Sequence, residues 1–361
     1  MSSAVACVAR VPAGLKQESA PLMPISLDHA TDLVRDGANL SRKQTREVFE
    51  QIMTGQVPTE RIAEFLRVLA GKGETANEIA GAADVMNEKV TRVHCTAECI
   101  DTCGTGGDGI STFNVSTTAA IIAAAAGATV AKHGNRTHTR ASGSAEAIAQ
   151  LGVNLDAPVP VLQRCLASCH IAFLYAPNLH PAMKYAGPAR QALGIRTIFN
   201  LLGPLTNPAG AKRQLLGTCR PDLTETLAAV LAARGATFAW VAHAHNGLCD
   251  LSITGPTQIT EIRDGCIRTF HVRPEEVGLT PAPLEALIVD SPQASATAIR
   301  DILEQRDLGP RRDHALLNAA AALVVAGLAD NLHAGMRHAI TTVDSGAAHA
   351  TLEQLVLTSN Q

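Results

Sequence analysis

Between Asp101 and Asn135 the chain reads DTCGTGGDGISTFNVST, then an alanine-rich run, then VAKHGN. Few folds accommodate that order. Ile100–Cys103 have the look of a short strand. Gly104, Gly106, Gly107 and Gly109 then allow the backbone to turn sharply and to come close to a ligand. Ser116 and Thr117 stand at a natural helix start, and residues 118–126 (TAAIIAAAA) are strong helix formers. Strand, glycine loop and helix N-terminus together make an anion site, because several N–H groups converge there and the helix dipole favours negative charge. A second strand, Thr129–Ala131, is expected to deliver Lys132, His133 and Asn135 to a loop. In an open parallel sheet, ligands bind beyond the carboxyl ends of the strands. Both polar clusters are therefore expected to face one crevice.

The loop is neither a Walker loop, since no GK[ST] ending follows, nor a clean GxGxxG fingerprint. By itself it reads either as a phosphate cradle or as a tight packing turn. Asp108 among the glycines, with Lys132 a strand later, favours the cradle and adds a metal ion or ribose hydroxyls to what it would hold.

Composition narrows the function classes. A net charge of −3 with no Lys/Arg block argues against a nucleic-acid surface, and ten aromatic residues in 361 argue against a base-stacking platform. The longest apolar runs fall short of a membrane span. The nine cysteines, without a signal peptide, read as reduced thiols in the cytosol. Cys95, Cys99 and Cys103 lack zinc-site spacing and read as small buried hydrophobes. His245 and Cys249, four apart, have no further ligands that would make a soft-metal site.

Along the chain, residues 1–26 show no period and read as a frayed extension. From Ser26 to Asn87 the period is helical, with capping boxes at Ser41/Gln44 and Thr75/Glu78. Ile62, Phe65, Leu66 and Leu69 share one face, as do Ile79, Ala83 and Met86. From Glu98 strands and helices alternate: strands at 98–103, 128–131, 170–175, 214–218 and 237–242, helices near 144–150, 159–167 and 222–233. That alternation predicts a largely parallel sheet. Leu251–Thr254 and Gln258–Ile262, around Gly255 and Pro256, read as a hairpin followed by Ile267–Val272. Asn178–Leu193 interrupts the sheet pattern with short helices broken at Pro181 and Pro188. The C-terminal part returns to helices, with 316–325 the most apolar. The expected fold class is α/β: a small N-terminal helical domain (27–95, with about 178–195 packing onto it) plus a larger α/β domain (96–177 and 196–361) with a mostly parallel central sheet flanked by helices.

GTGGDG at 104–109, NVST at 114–117, KHGNR at 132–136 and TIFNLLGPLTNP at 197–208 closely resemble the anthranilate phosphoribosyltransferases, in the family's order and over residues 27 to 356 or so. The resemblance implies transfer of a phosphoribosyl group from phosphoribosyl pyrophosphate (PRPP) to the amine of anthranilate, in tryptophan biosynthesis, on a nucleoside phosphorylase-type fold. It implies that Gly104, Gly107, Asp108, Thr112, Asn114, Ser116, Thr117, Lys132 and Ser144 bind PRPP. Gly104, His133, Asn135, His180, Arg190 and Pro204 would line the anthranilate site. Ser116 and Asp250 would hold Mg²⁺, as one ion or two, and the helical domain would form a homodimer. A guanidinium suits a substrate carboxylate because it binds it bidentately; without the resemblance, Arg190 reads as a surface or interdomain ion pair.

Two departures stand out. Where the family carries Gly-x-Asp-Glu-x-[Ser/Thr], this chain has GLCDLS, so Cys249 stands for the aspartate and Asp250 for the glutamate. A thiol is a poor magnesium ligand, which predicts weakened or altered metal binding. At 137–141 the chain has THTRA, where the family usually has small hydroxylated residues and a lysine; Arg140 is expected to meet phosphate there. The competing readings are a divergent paralogue acting on another aromatic amino acid, a pyrimidine nucleoside phosphorylase (whose lysine/serine motif is missing), and a non-catalytic nucleic-acid-binding relative.

Overall fold

The computed structural model describes residues 9–10, 24–137 and 139–361, so most of the expected N-terminal extension lies outside the described residues. The helical period from Ser26 produces α1 (Leu27–Arg35), α2 (Arg42–Met53), α3 (Thr59–Lys72) and α4 (Ala76–Glu88). Both capping boxes form: the Ser41 and Thr75 hydroxyls accept from the backbone N–H of Gln44 and Glu78, whose side chains accept the N–H of the cap residues in return. The apolar faces read from the sequence, Ile62/Phe65/Leu66/Leu69 and Ile79/Ala83/Met86, are buried.

The sheet begins with a two-residue edge strand, β1 (Ala9–Arg10), and continues through β2 (Cys99–Gly104), β3 (Thr129–Gly134), β4 (Ile171–Tyr175), β5 (Arg213–Gly217), β6 (Phe238–Ala244), β7 (Thr257–Arg263) and β8 (Cys266–Val272). Its order is β1-β8-β7-β6-β5-β2-β3-β4, with β6, β5, β2, β3 and β4 mutually parallel and the other pairings antiparallel. The intervening helices are α5 (Val115–Ala125), α6 (Ser144–Gln150) and α7 (Val159–Ser168). They are followed by α8 (Ala176–Leu179), α9 (Met183–Leu193), α10 (Phe199–Leu205) and α11 (Leu223–Ala233), and by α12 (Pro292–Leu303), α13 (Pro310–Ala326), α14 (Leu332–Asp344) and α15 (Ala347–Ser359).

Alternation along the strands splits the core in two. Leu215, Phe238, Trp240 and Ala242 join an apolar cluster with α5 and α13, while Leu216, Ala239, Val241 and Ile262 join a second one with α4, α9, α10 and α11. Helix α5 is buried nearly all round, because its small side chains, five alanines among eleven residues, let helices and sheet approach it from every side.

Three expectations are corrected. Leu251–Thr254 is not a strand: the hairpin is β7–β8, turned at Asp264 (φ 52°) and Gly265 (φ 75°). An Asp-Gly pair that takes positive φ at both residues is a strong short-hairpin signal, and it outweighs the Gly-Pro pair upstream. Lys132 and His133 lie within β3 rather than in a loop after it, because pairing with β4 runs on to Gly134–Tyr175. Pro188 does not break α9 but sits inside it. Helix α9 packs on α2 and α3, so the segment after Leu179 leaves the sheet for the helical layer.

Candidate active site

The strand order reverses direction at β2: β3 and β4 extend one way, β5 and β6 the other. A crevice opens at such a switch point, beyond the carboxyl ends of the strands. Beyond β2, Gly106, Gly107 and Gly109 take φ of 63°, 80° and 69°, a region that side-chain-bearing residues rarely enter. Arg196 closes on this loop from the other side: its Nη1 donates to the Gly106 carbonyl (3.0 Å), and a Cβ on Gly107 would meet that nitrogen at 2.2 Å. The loop runs to Asn114, the N-cap of α5, where no side chain caps the helix.

At the end of β5 the backbone of Cys249 crosses directly over Gly217. A Cβ on Gly217 would lie 1.6 Å from the Cys249 carbonyl oxygen and 2.9 Å from its Cα, so only glycine fits there. A Cβ on Gly104 would sit 3.1 Å from the Cys249 Cβ. These close approaches bring Cys249 and Asp250 to the glycine loop. Thr102, Ser116, Gly217, Cys249, Asp250 and Asn318 share a small cavity of about 10 Å³, the size of one water site.

Charge is concentrated here. The Asp108 side chain is fully buried and accepts both arms of the Arg140 guanidinium, with Nε at 2.5 Å, together with the Ile110 N–H at 3.2 Å and the Cys249 N–H at 3.4 Å. Arg140 thus meets a carboxylate of the glycine loop, where the sequence led us to expect phosphate. Burial pushes the Asp250 carboxyl up to about 7, reinforced by Asp108 and opposed by Arg140 and Lys132. Lys132 is buried in β3 and donates to the Thr102 carbonyl at 2.5 Å. Beneath it Asp101 is fully buried and accepts from the His133 N–H (3.1 Å) and Asn207 Nδ2 (2.8 Å). Burial raises its pKa; Lys132 and these donors hold it down.

On the helical side, His133 Nδ1 lies 3.0 Å from the Gly203 carbonyl, and His133 Nε2 lies 3.1 Å from His180 Nε2. The carbonyl only accepts, so Nδ1 carries the His133 proton and its Nε2 accepts from His180 Nε2–H. Burial lowers both pKa values, His133 to about 3 with help from the neighbouring His180 and His180 to about 4, so two neutral rings face each other. Arg190, on α9, stacks over Phe199 with 5.4 Å to the ring centroid, and burial lowers its pKa. Among the described residues no carboxylate pairs with it, so the ion pair that the sequence alone suggested is not what holds it.

The remaining candidates are more peripheral or more structural. Asn114 has its side chain engaged with Ser142 (2.7 Å) and Ser295 (2.7 Å), tying α5 to the α6 loop and to α12. Thr112 forms a β-bridge with Ile288, and the buried hydroxyls of Thr112 and Thr117 have no hydrogen-bond partner among the described residues. Asn135 is exposed past β3, and its carbonyl accepts from the Ser144 hydroxyl at the start of α6 (3.3 Å). The Pro204 carbonyl accepts from Gln214 Nε2 at 2.5 Å, which fixes α10 to β5. Sequence reasoning did not single out Arg196, Asn207 or Cys219 as site residues. Arg196 and Asn207 lie beside or within the motif at 197–208, but Cys219 carried no signal.

Comparison with known proteins decides the family. Residues 96–349 match the glycosyl transferase family, a/b domain, and residues 29–90 match its helical bundle domain. The anthranilate phosphoribosyltransferase of Roseiflexus castenholzii is 48% identical over 339 residues, covering 94% of this chain and 99% of that one. The chain belongs to the anthranilate phosphoribosyltransferases. The crystal structure of the family member from Thermus thermophilus superposes with a TM-score of 0.87 at 38% identity, covering 92% of this chain and 99% of that chain. The Saccharomyces cerevisiae enzyme, solved in complex with PRPP and Mg, superposes with a TM-score of 0.86 at 27% identity, covering 92% and 98%. Membership accounts for the order of the four motifs and for the sheet.

Proposed function

We propose that this chain joins the amine of anthranilate to C1′ of PRPP, releasing pyrophosphate, and that the crevice beyond β2, β3 and β5 is where it does so. Two features carry the reading: the Arg190 guanidinium over Phe199, without a carboxylate partner among the described residues, suits a carboxylate, and the glycine loop at the N-terminus of α5 suits a phosphate chain.

In this reading Gly104, Gly107, Asp108, Thr112, Asn114, Ser116, Thr117, Lys132 and Ser144 form the PRPP side, and His133, Asn135, His180, Arg190 and Pro204 the anthranilate side. Asn114 and Pro204 act by shaping the backbone, since their polar atoms are engaged within the protein. An arylamine is already neutral at pH 7, so the reaction needs no strong base. The two neutral imidazoles fit that requirement, because they place no positive charge near the amine. The protein's task is alignment of the two reactants and stabilisation of charge on the departing pyrophosphate.

The donor set fits one hard cation. Ser116 and Asp250 offer oxygens to one small cavity, and a buried carboxyl with a raised pKa gains from a cation beside it. The Cys249 thiol adds no hard ligand, and Asp108 is taken by Arg140. Among the described residues no group of three or more His, Cys, Asp or Glu side chains is placed to hold a metal, so water and pyrophosphate oxygens would complete the shell. When bound there, Mg²⁺ supplies neutralisation of the pyrophosphate charge.

The two-domain division at 27–95 (with 178–195) and 96–177 plus 196–361, a homodimer through the helical layer, and a cytoplasmic location belong to the same reading. The exposed Tyr185 on α9 and Ile195 just beyond it support the dimer surface, and the eight described cysteines, none of them in a disulfide, support a reducing compartment. Among the described residues no helix is long and apolar enough to cross a membrane.

The test is loss of anthranilate fluorescence with PRPP while Mg²⁺ is titrated, for the wild type and Cys249→Asp. Turnover in the wild type is expected, with a lower Mg²⁺ requirement in the variant. PRPP binding without turnover in either protein would replace this reading by a paralogue that acts on another aromatic amine.

A further inference from the structure

Cys219 and Cys249 are separated by thirty residues and lie on adjacent strand ends, after β5 and after β6. The fold brings their sulfurs together at the crevice. Each thiol reaches the same carbonyl, that of Gly106, at 3.7 Å and 3.9 Å, so the two side chains are neighbours. The Arg196 guanidinium stands 2.9 Å from the Cys219 sulfur. Cys219 is partly exposed and Cys249 buried. The two residues therefore have unlike surroundings: one partly exposed and beside a cation, the other buried.

We propose that Cys219 and Cys249 are an oxidisable dithiol that closes the crevice: a peroxide converts them to a disulfide, and a thiol reductant reopens it. Cys219, as thiolate, attacks the peroxide oxygen; the O–O bond breaks, leaving a sulfenic acid at Cys219 and releasing water or an alcohol. The Cys249 sulfur then attacks the Cys219 sulfur and displaces the hydroxyl as water, so two thiols lose two electrons and two protons and the peroxide is reduced. A disulfide holds its sulfurs at about 2.05 Å, closer than a thiol–thiol hydrogen bond, so the loop carrying Cys249 must move toward Cys219. That loop has no slack. Its backbone lies against Gly217 and Gly104, its N–H bonds Asp108, and the next residue is Asp250. Oxidation therefore displaces the glycine loop and Asp250 together.

Two other cysteine pairs are neighbours, Cys95 with Cys99 and Cys165 with Cys169, and neither touches the crevice, so they serve as internal controls. The experiment exposes the reduced protein to hydrogen peroxide, blocks remaining thiols, maps linkages by peptide mass spectrometry, and follows turnover before and after dithiothreitol. We expect a Cys219–Cys249 linkage, a fall in activity of about tenfold or more, and recovery on reduction. Cys219→Ser is expected to show the same activity after peroxide as it shows before it, whatever that level is. Linkage only at the control pairs, or equal peroxide sensitivity of Cys219→Ser, would overturn the proposal. The mapped linkage does not depend on turnover, so a protein that forms it yet never consumes anthranilate would count against the proposed function and not against the dithiol.

Discussion

Gly217 shows how much one missing carbon decides. The Cys249 backbone occupies the space where a Cβ would stand, at 1.6 Å from its carbonyl oxygen, and nothing flexible can yield there. Gly217→Ala must push the 245–250 loop off the strand end, and a displacement of about 1 Å at a catalytic crevice costs about 100-fold in rate. We expect kcat/KM for PRPP to fall by that order with an unchanged far-ultraviolet circular dichroism spectrum; a variant with normal kinetics would show that the loop's position is immaterial. The histidine pair behaves differently, because it acts through protons. His133 and His180 are held near 3 and 4, below the ordinary value of about 6.5. The unfolded chain takes up protons that the folded one refuses, so their contribution to stability is whole above about 6.5 and is lost as pH falls from there toward 4 and 3. The double substitution His133→Asn, His180→Asn is expected to flatten the acid limb of a Tm-against-pH curve relative to the wild type, while the contribution of buried His314, also lowered to about 4, persists in both.

Among the elements, α9 carries the clearest functional consequence. Its start is set by the chain leaving α8 past Pro181, and its end by Gly194 in the left-handed region. Pro188 is tolerated within it, and its packing on α2 and α3 holds it in the helical layer. There it holds Arg190 stacked on Phe199 and without a carboxylate among the described residues, and the proposed function assigns this guanidinium the carboxylate of anthranilate. Losing a charged hydrogen-bonding partner costs a ligand roughly 1.5–3 kcal/mol. Arg190→Met is therefore expected to raise KM for anthranilate by about 10–100-fold and to leave KM for PRPP near its wild-type value, as steady-state kinetics with each substrate varied would show. An equal rise in both constants would assign Arg190 to the packing of α9. This element also marks a limit of sequence reading. Proline at 188 argues for a break, yet in the folded chain the contacts of α9 with two neighbouring helices outweigh the lost backbone bond.

At the scale of the molecule, the helical layer is fastened to the sheet by apolar packing and by one charged knot. Asp84 on α4 accepts from Arg42 on α2 and from Arg234 at the end of α11, with the three side chains 14%, 23% and 12% exposed. Removing one partner of such a buried group leaves the others uncompensated, at a cost of about 3–5 kcal/mol. Asp84→Ala is expected to lower stability by that amount in urea unfolding, and a loss under 1 kcal/mol would place the cohesion of the two layers in the apolar cluster alone. The amphipathic faces of α3 and α4, both capping boxes, the five parallel strands and the glycine loop before α5 were legible in the sequence, because each depends on residues within one turn or one strand of each other. The hairpin at Asp264–Gly265 was legible too, but a competing Gly-Pro pair obscured it. What sequence could not supply was convergence. That Arg140 would meet Asp108, that Cys249 would lie over Gly217, that Arg196 would brace Gly106, and that His133 would face His180 depends on strand order and on the lengths of the loops between. By itself the sequence determined most of the helices and strands and which chemistry-bearing residues the chain carries, since local propensity and periodicity act over a few residues. The tertiary structure alone decided which of those residues share the crevice and with what charge, because burial and distance between remote segments exist only once the sheet has closed.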